Sequence, residues 1–157
     1  MSEKTDIVRQ LMPRAVLKPL TSQAMESIIP KDNAKGFIRI DDFPFKVGRE
    51  SRLKAGKGGF EILERIKNSK TPPNNDIYLV DTARYLNISR EHFLISETAS
   101  GFEIIDRGSA CGTVVDGNVI GGKDKGGRGL LQDGDTITIG VEESPYRFQF
   151  IVLDSYL

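Results

Sequence analysis

The 157-residue chain has no tryptophan, one cysteine and one histidine, and each scarcity removes a class of function. Cys111 alone cannot form an internal disulfide. One histidine and one cysteine leave only carboxylates as further ligands, a poor set for zinc or another transition metal, so neither a metal nor another cofactor is expected. A Ser-His-acid relay would have to be built around His92, and Ser89 lies only three residues away on the same short segment, a poor arrangement for a triad. The chain is therefore expected not to be an enzyme. No apolar run approaches the ~20 residues a membrane helix needs. The opening residues Met1-Ser2-Glu3-Lys4-Thr5-Asp6 carry no signal-peptide core, so a cytoplasmic location is expected, with no membrane partner.

Excess charge of either sign is also missing. Lys plus Arg and Asp plus Glu both count 22, which gives no general signal for nucleic acid, and none is expected as a partner. The local balance differs. Between Lys46 and Lys70, eight basic residues (Lys46, Arg49, Arg52, Lys54, Lys57, Arg65, Lys67, Lys70) face three acidic ones (Glu50, Glu61, Glu64), a surplus of +5. Such a run is either a solvated loop or an attractor for an anionic partner.

What is present is an ordinary globular composition, 38% hydrophobic and 28% charged, in a length that suits one domain. From Phe37 onward, short β-branched and aromatic stretches alternate with Gly, Asp, Asn and Pro, which predicts an all-β sandwich. Candidate strands are 37–40, 43–48, 77–80, 92–97, 102–106, 113–115, 119–120, 136–139 and 146–153, with 15–20 as a first strand. Asp116-Gly117 predicts a type I′ hairpin turn, and the alternation in Thr136-Ile137-Thr138-Ile139 puts the isoleucines inward and the threonines outward. Residues 52–75 are too long for a plain connection and read as an elaborated loop, in which 60–66 forms a short helix or strand. The Gly-rich stretches 56–59 and 121–129 match neither a P-loop nor a dinucleotide fingerprint and read as flexible surface turns. Residues 1–14 are expected to be a tail, mobile or helical, because Ile7, Leu11 and Met12 have helical spacing; residues 15–157 form the domain.

Five small motifs occur in order: Gly48-Arg49, Asn75-Asp76-Ile77, Ser89-Arg90-Glu91-His92, Gly112-Thr113 and Asp116-Gly117. This order resembles the forkhead-associated (FHA) domain, whose pattern is Gly-Arg, a strand, Ser-Arg-x-His and then Ser-x-Asn-Gly-Thr-x-Val-Asn-Gly. The likeness covers about residues 37–152 and includes the closing turn and strand, Asp133-Gly134-Asp135 and Ile139-Gly140. It implies a β-sandwich of about eleven strands that binds phosphothreonine in an extended peptide at one end. By that resemblance Arg49 contacts the phosphate, Ser89 donates its hydroxyl to a phosphate oxygen and Arg90 assists. Asn87, Ala110, Cys111 and Thr113 are the implied peptide contacts, while Gly48, His92, Gly112 and Gly117 support the loops. The implied partner is a phosphothreonine protein, a Ser/Thr kinase or its substrate, and the implied role is that of a signalling adaptor.

Guanidinium suits this task, because its planar fork of donors stays charged against a phosphate carrying nearly two negative charges. The chain departs from the pattern at Cys111, where the family has the Asn that bonds the peptide backbone; Ala110 likewise replaces a residue that is often hydroxyl-bearing. A thiol is a weak donor and acceptor. The alternative is therefore an FHA-like scaffolding domain that binds an unmodified protein surface.

Overall fold

The computed structural model describes residues 2–51, 53–56, 59–62 and 72–154. Among them the chain forms β1 (Ala15–Pro19), β2 (Ile38–Ile40), β3 (Phe45–Arg49), β4 (Leu53–Gly56), β5 (Gly59–Ile62) and β6 (Ile77–Leu79). It continues with β7 (Phe93–Thr98), β8 (Gly101–Asp106), β9 (Thr113–Val115), β10 (Asn118–Ile120), β11 (Gly127–Leu131), β12 (Thr136–Ile139) and β13 (Arg147–Val152). Six strands make one sheet in the order β10-β9-β12-β13-β1-β2, and five make the other, β11-β8-β7-β3-β6, so the sandwich has the eleven strands expected. β4 and β5 pair as a separate two-stranded ribbon.

Period-two alternation fills the space between the sheets. In β13, Phe148 and Phe150 are buried between the partly exposed Arg147, Gln149 and Ile151; in β7 Phe93 and Ile95 point inward, and in β12 Ile137 and Ile139 do. Burying each such side chain stabilises the fold by about 1.5–3 kcal/mol. Nearly every strand pair is antiparallel, but β3 and β6 run parallel. Parallel neighbours need a long crossover. That requirement explains why the stretch from Arg49 to Ile77 is long and why the ribbon sits within it. The 60–66 expectation is met as strand through Ile62, and its remainder lies outside the described residues. Of the basic run, Arg52, Lys57, Arg65, Lys67 and Lys70 also lie outside them.

Two expectations need correction, and one element was not expected. The 121–129 stretch is not merely a turn, because Gly127–Leu131 is a strand paired along β8. Its glycines serve close packing: a Cβ at Gly129 would come within 2.7 Å of Ile120 Cδ1, and one at Gly127 within 2.9 Å of the Gly121 nitrogen. Thr138, on the face opposite Ile137 and Ile139, is nevertheless buried, paired between Val114 and Arg147 of the flanking strands. A helix α2 (Ser22–Ser27), which the sequence reading passed over, is capped by Thr21 Oγ1 accepting from Ala24 N–H at 3.0 Å. It covers the β6 edge, where Val80 N–H donates to Ser27 carbonyl at 2.8 Å and Ile28 bridges Leu79.

The N-terminal stretch forms helix α1 (Glu3–Leu11), capped by Ser2 and with no residue buried. Among the described residues no helix is long and apolar enough to cross a membrane.

Candidate functional site

Loops at one end of the sandwich gather a small cleft of about 170 Å³, lined by Arg49, Leu86, Asn87, Ile88, Ser89, Arg90, Ala110 and Cys111. Strand alternation sets its floor. Phe45 and Val47 point into the core, and Arg49, two residues further, takes the next inward position at the strand end, where it is only 6% exposed. A buried guanidinium needs partners. Its Nε donates to the Ile88 carbonyl at 2.6 Å and its Nη1 to the Glu50 carbonyl at 3.4 Å.

Gly48 allows the neighbouring backbone to approach. A Cβ there would lie 2.0 Å from the Arg90 carbonyl and 2.4 Å from Asn75 Nδ2. That carbonyl accepts from Asn75 Nδ2 at 2.7 Å and from Arg49 N–H at 3.4 Å. Arg107 extends the support, donating through Nη1 to Asn74 carbonyl and Asn75 Oδ1 at 2.9 and 2.8 Å, and through Nη2 to Glu91 at 2.9 Å.

Ser89 sits at the centre of the loop before β7. Its N–H donates to His92 Nδ1 at 2.9 Å, and its Oγ accepts from Ala110 N–H at 3.1 Å. Among the described residues the Ser89 hydroxyl proton has no acceptor, so it remains available to an anionic oxygen in the cleft. His92 is fully buried and uses both nitrogens: Nδ1 accepts from Ser89, so Nε2 carries the proton and donates to the Gly112 carbonyl at 2.7 Å. The ring ties the 89–92 loop to the 109–113 loop. Burial pushes the imidazole below its ordinary value, against the opposing pull of the Gly112 carbonyl and of Asp106. The ring is held neutral, as bracing.

Two buried carboxylates shape the loops from inside, and sequence reasoning singled out neither. Asp81 Oδ2 accepts from the N–H groups of Asn87 and Ile88 at 2.8 and 3.0 Å, and Oδ1 accepts from Ala83 N–H at 3.0 Å. Asp106 Oδ1 accepts from Gly108 and Ser109 N–H, and its Oδ2 from the hydroxyls of Ser109 and Thr113 at 2.6 and 2.8 Å. The same signal locates both: continuing Ile77, Leu79 by two reaches Asp81, and continuing Phe102, Ile104 by two reaches Asp106. Each is an inward carboxylate at a strand end.

Thr113, expected to touch a peptide, is fully buried with its hydroxyl committed to Asp106, so its side chain braces the loop and does not line the cleft. Asn87 lines the cleft, with Nδ2 donating to Tyr85 carbonyl at 3.1 Å. Cys111 lines it too; its thiol donates to the Leu86 carbonyl at 3.4 Å, and burial followed by the Asp81 charge raises its pKa, which keeps it a thiol. Gly112 holds a φ of +86° and presents its carbonyl to His92 and Gly140. Gly117, with Asp116, forms the turn between β9 and β10 at positive φ, as predicted for a type I′ turn, and does not line the cleft. The 121–126 loop supports the rim, since Lys123 and Asp124 N–H donate to the carbonyls of Ala110 and Ser109 at 2.9 and 3.1 Å. Among the described residues no cluster of His, Cys, Asp or Glu is suited to hold a metal ion.

Comparison with solved structures finds the same architecture. The FHA domain of CT664 from Chlamydia trachomatis aligns over 89% of this chain and 98% of its own, with a TM-score of 0.51 and 19% identity. Mycobacterium tuberculosis EmbR, solved with a low-affinity phosphopeptide, aligns over 95% of this chain with a TM-score of 0.50 and 19% identity; this chain spans only 28% of that one. An engineered FHA with Myc-pTBD peptide aligns over 92% of this chain and 94% of its own, with a TM-score of 0.51 and 14% identity. No curated protein sequence matches the chain. The FHA domain profile matches residues 46–140, which is more than half of the 157 residues and includes the whole cleft together with its bracing His92 and Asp106: the chain belongs to the FHA domain family.

Proposed function

We propose that the cleft binds phosphothreonine in an extended segment of a partner protein, and that the chain is a non-enzymatic adaptor in Ser/Thr kinase signalling. The observation that carries this reading is the convergence of Arg49, Ser89 and Arg90 on one cleft, with the Ser89 hydroxyl proton uncommitted among the described residues. Arg49 supplies a fixed charge at the floor and Ser89 a directed donor, the pairing a dianionic phosphate requires. Arg90 stands at the edge as an auxiliary cation. Family membership and the phosphopeptide carried by the EmbR structure support the same chemistry. Basic residues of the 52–70 insertion add attraction for an acidic partner.

If the phosphate makes two charge-assisted hydrogen bonds of about 1.5–3 kcal/mol each, dephosphorylation weakens binding roughly a hundredfold or more. That difference is large enough for a switch. The partner is then a phosphorylated protein, a kinase or its substrate, recognised without turnover.

A second reading, a scaffold for an unmodified surface, draws on Cys111, whose thiol proton is already engaged by the Leu86 carbonyl and so replaces the peptide-binding Asn with a group that has nothing to donate. Selection from an oriented phosphothreonine peptide library by the wild type, Arg49→Ala and Ser89→Ala separates the two. Phosphate reading requires enrichment by the wild type that both variants lose; equal recovery by all three supports the scaffold.

A further inference from the structure

The cleft is lined by side chains of two kinds: Arg49, Asn87, Ser89 and Arg90 are polar, whereas Leu86, Ile88, Ala110 and Cys111 are apolar or only weakly polar. We propose that Leu86, Ala110 and Cys111 form an apolar ledge that selects phosphopeptides with a bulky apolar side chain close to the phosphothreonine. The inference rests on the phosphate reading of the same cleft and adds the chemistry of the neighbouring peptide residue.

Four polar groups of the ledge have internal partners. Ala110 N–H donates to Ser89 Oγ at 3.1 Å, and its carbonyl accepts from Lys123 N–H at 2.9 Å. The Cys111 thiol donates to the Leu86 carbonyl at 3.4 Å, and its sulfur is a weak acceptor at best. The side chains of the ledge offer a peptide a methyl group, a sulfur and the Leu86 isobutyl group, Leu86 being 38% exposed. Tyr85, the preceding residue in the chain, is 75% exposed beneath the Arg84 guanidinium and does not line the cleft. A single exposed leucine means little, but here it adjoins two further apolar groups inside a cleft. The ledge is also rigid before any ligand arrives, because Asp81 holds the N–H groups of Ala83, Asn87 and Ile88 on either side of Tyr85 and Leu86. A preformed apolar wall binds a leucine or phenylalanine without first ordering itself.

The Asn-to-Cys departure thus has a positive reading. Position 111 exchanges a hydrogen bond to the peptide backbone for contact with a peptide side chain. Discrimination moves from the main chain, which every peptide shares, to one residue type.

The test is an array of phosphothreonine peptides and their unphosphorylated twins, in which each of the three residues on either side of the threonine is Leu, Phe, Ala, Asp or Lys in turn. It is read with the wild type, Leu86→Ala and Cys111→Asn, each first checked for a native thermal transition. The wild type is expected to bind Leu or Phe about tenfold more tightly than Ala at one flanking position. Leu86→Ala should reduce that ratio to about twofold, and Cys111→Asn should narrow it by raising affinity for the Ala peptide. Phosphate-dependent binding with no flanking preference overturns the ledge while leaving the phosphate reading in place. A preference that survives both substitutions also overturns it. Binding that ignores phosphate overturns both.

Discussion

The backbone N–H of Ser89 donates to Nδ1 of His92 at 2.9 Å, so the ring must be neutral for Ser89 to hold its place. A second proton on Nδ1 would face that N–H and break the bond. Burial lowers the folded-state pKa below the ordinary 6.5. The unfolded chain therefore takes up a proton as pH falls through about 6.5 while the folded chain resists. Stability is full above that value and is lost below it, in a window above the one in which carboxylates titrate. Urea denaturation between about pH 7.5 and 5.5 should show the decline, and His92→Gln should lack it. A wild type equally stable across that range contradicts this account of the ring.

Asp81 should be worth more than its distance from any ligand implies. Asp81→Ala leaves three backbone donors, those of Ala83, Asn87 and Ile88, without their acceptor, a loss of about 2–4 kcal/mol. Asp81→Asn keeps one acceptor oxygen and should fall between. Binding should weaken in the same order, because the Ile88 carbonyl that steadies Arg49 Nε moves with the loop. Thermal melting and peptide titration of both variants check this; equal melting temperatures would refute it.

Two glycines of the motif should respond differently. At Gly48 an added methyl meets the Arg90 carbonyl at 2.0 Å, so Gly48→Ala should cost about 1–3 kcal/mol and also displace the Arg90 segment of the cleft. At Gly117 nothing lies within 4 Å, but φ is +83°, so Gly117→Ala should cost about 1 kcal/mol and leave binding intact. Chemical denaturation paired with titration separates the two effects. A Gly48→Ala protein with undiminished affinity would show that the close approach does not shape the cleft.

The sandwich was legible because inward residues alternate: Phe148 and Phe150, Phe93 and Ile95, and Ile137 and Ile139 write their own period. The cleft was legible in part. Arg49, Ser89 and His92 stand in short motifs of fixed order, whereas Asp81 and Asp106 look like turn residues until the alternation is carried past the strand end. Asn75 supports the Arg90 carbonyl across 15 residues of chain and is itself held by Arg107 across 32, a relation that only folding creates. β11 was missed because its glycines, which signal turns locally, are there to let Ile120 pack closely. Thr113 was misplaced because a motif position gives no side-chain direction; its hydroxyl turned inward to Asp106.

Asp135 offers a stabilising substitution remote from the cleft. Burial, then hydrogen bonding and repulsion from Asp116, raises its carboxyl pKa despite the opposing Gln132 N–H. A raised folded value means the protonated form suits the fold: its benefit is present below the ordinary carboxylate range and is lost as pH rises through the folded value. At neutral pH the charge is a liability. Asp135→Asn, which keeps an acceptor for Gln132 N–H, should raise the melting temperature at pH 7 and gain less near pH 4. A lower melting temperature at pH 7 would contradict this.

The most direct test of the central claim is a calorimetric titration of one library-selected phosphothreonine peptide and its unphosphorylated twin into the wild type and Arg49→Ala. Phosphate reading through Arg49 requires roughly hundredfold tighter binding of the phosphorylated peptide by the wild type, with most of that ratio gone in the variant. Equal affinity of the wild type for the two peptides, or a ratio unchanged by Arg49→Ala, would contradict it.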